Sequence, residues 1–108
     1  MKVNAEWKEK ALVLHLGGSL TAQNSDGLVA QMKSYLKPDC RCCVLESAAL
    51  QQLDSAGVGA LVSCLNLAKQ AGIPLVIAGL AGRPLQALQV AKADRFFTLR
   101  AGLEEALA

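Results

Sequence analysis

The chain has 108 residues, of which 53% are hydrophobic, 19% charged and only 4% aromatic. That is one domain, 1–108, whose core buries roughly two-thirds of the unfolded surface, so it folds without metal or disulfide staples. The net charge of +2, from 11 Lys+Arg against 9 Asp+Glu scattered singly, leaves no basic footprint for nucleic acid or an anionic membrane. A lone histidine, His15, thins the catalytic options.

Lys2 to Lys8 alternates polar and apolar residues, the period of a half-buried strand. Lys8-Glu9-Lys10 is a short polar turn, and Ala11 to Leu16 reads as a second strand paired with the first in a hairpin and ended by Gly17-Gly18. Asn24, Ser25 and Asp26 are capping residues, which predicts a helix to about Leu36 with Leu28, Val29, Met32 and Leu36 on one face. Lys37-Pro38-Asp39 stops it. Cys42 to Leu45 is apolar without alternation, the mark of a strand covered on both faces. A second helix is expected from Ser55 to about Gln70, burying Val58, Leu61, Val62 and Leu65, with Gly72 as its stop. Pro74 to Ala78 is another apolar strand. Pro84 marks the first turn of a third helix with Leu85, Leu88 and Ala91 inward. Phe96 to Leu99 is a last short strand, and Leu103 to Leu107 a closing helix. The order β-β-α-β-α-β-α-β-α implies an α/β fold: a mostly parallel central sheet with an antiparallel N-terminal edge hairpin, flanked by about four helices.

The N-terminus lacks the basic and apolar regions of an export signal: Glu6 and Glu9 interrupt the first, and Ala11–Leu14 falls short of the roughly 7–15 residues of the second. The run Ile73–Leu80 is far below the ~20 apolar residues of a membrane span. A cytoplasmic protein is expected. Cys40, Cys42 and Cys43 form a C-x-C-C cluster and Cys64 stands apart. A structural zinc site wants a second ligand pair, and a redox C-x-x-C opens a helix, whereas Cys42-Cys43 enters a strand. The cysteines read as buried or half-buried thiols, with no metal and no cofactor implied.

In open α/β sheets function gathers beyond the carboxyl ends of the parallel strands. The segments Gly17–Asn24 and Ser47–Gly59 qualify, and Leu53-Asp54-Ser55-Ala56-Gly57-Val58-Gly59 is the richest. It is no P-loop, because no Gly-Lys-Ser/Thr follows the glycines, and no nucleophile elbow, because Leu53 stands where G-x-S-x-G needs glycine. Val62 replaces the third glycine of a dinucleotide fingerprint. A Ser55–His15–Asp54 triad is disfavoured, since Asp54 adjoins Ser55 and is poorly placed to orient a base for it. His15 lies on the strand face opposite Leu12, Leu14 and Leu16 and reads as a sheet-packed or partly exposed imidazole. Two readings of Ser55 remain. Asp54 or Ser55 simply caps the helix; or Ser55 is a phosphorylation site, with the glycines leaving the backbone bare for a kinase and the amides of Gly57 to Gly59 free to receive the phosphate.

Val44-Leu45-Glu46 followed by Asp54-Ser55-Ala56-Gly57 and Val58-Gly59-Ala60-Leu61-Val62 resembles the STAS domain of bacterial anti-sigma factor antagonists. Gly18-Ser19-Leu20-Thr21, Pro74–Leu80, Asp94-Arg95-Phe96-Phe97 and Leu103-Glu104-Glu105-Ala106-Leu107 extend the resemblance in order over nearly the whole chain. It implies the STAS fold and partner switching. The unphosphorylated protein binds an anti-sigma factor that is also a serine kinase, freeing a sigma factor for transcription. The kinase phosphorylates Ser55 and the complex dissociates, and a metal-dependent serine/threonine phosphatase restores it. Asp54, Ala56, Gly57, Val58, Gly59, Thr21 and Glu46 would form the partner-binding loops, and the protein would be no enzyme.

The sequence departs from the family pattern at Thr21, where an acidic residue is frequent, at Glu46, where Asp is usual, and in the polar stretch Ser47–Gln52. These bear on the partner more than on the fold. The same resemblance leaves open a STAS subunit of an ABC-type lipid-transport complex, which would bind its ATPase, and a stressosome-type scaffold. An enzyme, as a thiol oxidoreductase or serine hydrolase, is the reading from a different class.

Overall fold

Two left-handed residues, Glu9 (φ 49°) and Lys10 (φ 70°), turn the chain back on itself at its start. Positive φ at both positions of a two-residue loop matches the twist of a hairpin, and strand β1 (Lys2–Lys8) pairs antiparallel with β2 (Ala11–Leu20). The computed structural model describes residues 1–108. Beyond the hairpin come α1 (Ser25–Tyr35), β3 (Cys42–Leu53), α2 (Ser55–Gln70), β4 (Leu75–Ala78), α3 (Gly82–Val90), a 3₁₀ turn (Asp94–Phe96), β5 (Thr98–Arg100) and α4 (Leu103–Leu107). The five strands lie in the order β1-β2-β3-β4-β5, parallel from β2 onward. The expected α/β architecture is thus the observed one.

The sheet separates two cores. Leu12, Leu14 and Leu16 of β2 and Cys43 and Leu45 of β3 point to one face, where α1 brings Leu28 and Met32, α2 brings Val58, Leu61, Cys64 and Leu65, and α3 brings Leu88. Val13, Val44 and Ala78 point to the other face and are covered by Leu103, Ala106 and Leu107 around α4. Burial on both faces explains why the β3 sequence begins without alternation.

Several boundaries differ from the sequence reading. Gly17-Gly18 does not end β2, which continues to Leu20 with Gly18 in a left-handed conformation (φ +86°). β3 runs to Leu53 rather than Leu45, because its pairing with β2 resumes after two bulges, between the partners of His15 and Gly17 and between those of Gly18 and Ser19, and continues to Leu20 opposite Leu53. Each inserts a residue and breaks the two-residue period. Leu50 and Leu53 are thereby both buried although three positions apart. Pro74 stands before β4 but its carbonyl accepts from Cys43 N–H at 2.8 Å. Ala91 is exposed beyond α3, and Phe96 closes the 3₁₀ turn with its ring outward while Phe97 is buried.

The cysteines are free thiols, with Cys40, Cys43 and Cys64 buried and Cys42 partly so. Burial raises the Cys42 and Cys43 pKa values and pushes Cys64 up to about 12. The reactive thiolate is therefore disfavoured at these three positions.

His15 fastens three strands together on the α4 side of the sheet. Its Nε2 lies 3.0 Å from Glu6 Oε1 on β1 and its Nδ1 lies 3.3 Å from Glu46 Oε1 on β3. Both nitrogens donate only when the ring is protonated. The Glu6 hydrogen bond raises the His15 pKa above 6.5, with Glu46 adding to it and burial opposing it. The His15 bond likewise lowers the Glu6 pKa below 4.5. The stabilisation from His15 is fully present below pH 6.5 and is lost as pH rises through the raised value. That from Glu6 is present above pH 4.5 and is lost as pH falls through the lowered value. Urea denaturation from pH 5.5 to 8.5 should show stability falling through this window, and His15→Gln should flatten that slope; an unchanged slope in the variant would contradict the assignment.

Candidate functional site

At the carboxyl end of β3 the chain enters α2 through Asp54, whose extended backbone (φ −98°, ψ −176°) suits a helix cap. One carboxylate oxygen accepts from Gly57 N–H at 2.8 Å and the other from Ala22 N–H at 3.2 Å. Asp54 N–H donates to the Leu20 carbonyl at 3.3 Å. A single residue therefore caps the helix and ties it to the loop after β2. Asn24 stiffens that loop, with its amide donating to Ser19 O at 2.8 Å and its side-chain oxygen accepting from Thr21 N–H at 2.9 Å.

Ser55, the first helical residue, is exposed, and its hydroxyl has no hydrogen-bond partner. Of the two capping candidates, Asp54 is the cap and Ser55 is left outward. The amides expected to be free differ from the sequence reading. Gly57 N–H is taken by the Asp54 carboxylate and Val58 N–H by the Asp54 carbonyl at 2.9 Å. The amides of Ser55 and Ala56 precede the first helical hydrogen bond and are the open ones.

The glycines also have a different reason. Gly57 is buried, and a Cβ there would collide with the Leu20 carbonyl oxygen and come within 2.7 Å of Leu53 Cδ1. Glycine is required because the first turn of α2 presses on the end of β2, and it does not bare the backbone to a kinase. Gly59 is exposed with open space around it.

Two adjoining hollows flank this turn. One, of about 290 Å³, is lined by Thr21, Gln51, Gln52, Leu53, Asp54 and Arg83. The other, of about 410 Å³, runs between α2 and α3 past Ser55, Val58, Arg83, Ala87 and Val90. The structure thus gathers Thr21, Asp54 and Ser55, with Ala56 partly exposed in the same turn and Val58 mostly buried beneath it. Glu46 is not in this group. It lies on the opposite sheet face, bonded to His15 and accepting from Ala48 N–H at 3.0 Å. Asn24, expected to cap α1, stands at the cap position but makes no side-chain cap bond and holds the loop after β2 with its side chain. In the sequence Gln51 and Gln52 stand out only as part of a polar stretch, and Arg83 is not singled out. No three His, Cys, Asp or Glu side chains converge where a metal ion would sit, and no helix is long and apolar enough to cross a membrane.

The STAS domain family model matches residues 2–106. The chain belongs to the STAS domain family. Solved structures with the same fold include a candidate anti-sigma factor antagonist of Thermotoga maritima, with TM-score 0.84 and 14% identity over 97% of this chain and 91% of that one. An anti-sigma factor antagonist of Mycobacterium paratuberculosis matches with TM-score 0.81 and 19% identity, covering 98% and 90%. A sulfate transporter family protein of Wolinella succinogenes matches with TM-score 0.80 and 15% identity, covering 94% and 85%. At these identities the likeness concerns the STAS fold, which serves proteins of more than one function.

The packing around Gly57 predicts opposite outcomes for two substitutions in one STAS helix. Gly57→Ala should cost about 1–3 kcal/mol through overpacking against backbone. Gly59→Ala should be neutral or gain up to about 1 kcal/mol from helix propensity. Urea denaturation of both variants checks this, and equal effects would contradict it.

Proposed function

We propose that this STAS domain is an anti-sigma factor antagonist that works by partner switching, with Ser55 as the switch. The observation that carries the reading is the exposed, unbonded Ser55 hydroxyl beside a fully anchored Asp54. A kinase meets a hydroxyl that no internal bond must release, on a turn that does not have to unfold. The unphosphorylated surface binds an anti-sigma factor that is also a serine kinase. Ser55 Oγ attacks the γ-phosphorus of ATP, the bond to ADP breaks, and the serine proton leaves to a base of the kinase. A serine/threonine phosphatase reverses the state by hydrolysis. The domain is substrate and ligand in this cycle, not catalyst, and the cycle runs in the cytoplasm.

The switching force is local. A phosphoserine adds about 1.5–2 negative charges at pH 7, next to Asp54 and on a protein whose net charge is only +2. A docked partner then faces like-charge repulsion and the cost of desolvating a phosphate, each worth kilocalories at a close interface. Asp54, Ala56 and Thr21 would border the contact together with exposed Gly59, while Gly57 and Val58 hold the turn in place. Glu46, on the other face, would act only through the sheet.

Incubation with the cognate kinase and ATP should add one phosphate by intact mass, and Ser55→Ala should add none; equal modification of Ser55→Ala would overturn the site. Ser55→Asp should weaken partner binding at least about tenfold, or 1.4 kcal/mol. Its thermal stability should barely change, because an acidic side chain is tolerated in a first helical turn. A large fall in melting temperature without loss of binding would contradict the switch. Binding to a transport ATPase in place of an anti-sigma factor would favour the lipid-transport alternative.

A further inference from the structure

Arg83, in the first turn of α3, faces the same hollow as Ser55. It also lines the neighbouring hollow with Thr21 and Asp54. Among the residues around the two hollows it is the one cation, and Asp54 the one anion. Asp54 is committed to two backbone amides. Both ion pairs of the structure belong to His15, so Arg83 has no carboxylate partner. It is exposed, and none of the side-chain hydrogen bonds is its own. An unpaired guanidinium thus stands across an open hollow from the hydroxyl proposed to carry a phosphate.

We propose that Arg83 is the positioning residue for phosphoserine 55, closing over the hollow to form a charge-assisted pair with the phosphate. The inference rests on the switch reading of Ser55. A planar fork of donors matches phosphate oxygens in pairs, which an ammonium does not. The pairing has two consequences. It holds the phosphate toward α3, over the α2–α3 hollow, rather than leaving it to sweep through solvent. It also withdraws from the surface the only cation of these hollows, so that an acidic partner loses an attraction as it meets a new repulsion. Phosphorylation therefore changes the charge of the docking surface at two places through one covalent event.

The test needs neither kinase nor partner, so its failure is separable from failure of the switch reading. Phosphoserine is placed at position 55 by genetic encoding in the full chain, and its second ionisation is followed by ³¹P NMR. Removing a contacting cation should raise that pKa, which is about 6 for an exposed phosphoserine. Arg83→Gln should raise it by about 0.3–0.7 pH unit relative to the parent, the range an exposed ion pair supplies. Arg41→Gln, at the far end of β3, should leave it unchanged. Identical titrations of the parent and Arg83→Gln would overturn the proposal, as would an equal shift in Arg41→Gln. Arg83 is exposed and unbonded, so the variant should keep the parent's melting temperature, and the titration then reports the contact and not the fold.

Discussion

The carboxylate of Asp54 holds together the start of α2 and the loop after β2, the segments proposed for recognition. One oxygen fixes the first turn of α2 through Gly57, and the other fixes the loop after β2 through Ala22. A helix cap alone is worth about 0.5–2 kcal/mol. Here the cap doubles as a tie between two segments far apart in sequence, and the arrangement works only because Gly57 lets α2 approach the Leu20 carbonyl. The consequence is geometric. With Asp54 turned inward to two amides, the next side chain, Ser55, is the one left outward and unbonded. The anchor is bonded on both sides and the hydroxyl beside it is free, which suits the proposed covalent switch.

The hydrophobic architecture beneath this anchor explains how charge can change at the surface without cost to the fold. Three helices cover one sheet face and α4 part of the other, with fully buried leucines on β2 and β3 between them. None of the ionisable groups at the site enters that core. The proposed phosphate and Arg83 would interact across solvent-open hollows, where electrostatic energies are modest and adjustable. The His15 fastening lies on the opposite face and is separate from the proposed switch.

Local chemistry was readable from the residues and long-range geometry was not. Asp54-Ser55 before an apolar helical stripe announces a helix start, because capping depends on neighbours only. The order of elements along the chain, and a mostly parallel sheet with an antiparallel N-terminal hairpin, followed from the alternation of apolar segments with helices. The true length of β3 was hidden, since two bulges place Leu50 and Leu53 in the core at a spacing no strand template contains. Glu46 was grouped with the switch by resemblance, yet it shares a sheet face with Val44 and His15, on the far side of both bulges. Gly57 was recognised but for the wrong reason, because the carbonyl it must clear belongs to a distant strand. Arg83 carries no signal of its own; only the packing of α3 beside α2 places it on the hollow that Ser55 also lines.

The central claim is that charge at position 55 acts locally, on an anchored turn. Amide ¹H–¹⁵N spectra of the parent and Ser55→Asp test it directly. The account predicts shift changes confined to residues 20–24, 54–59 and 83–91, with the amides of β1 and β4 unmoved. Changes spread across Lys2–Lys8 and Leu75–Ala78 would show that the charge reorganises the sheet, and would contradict it.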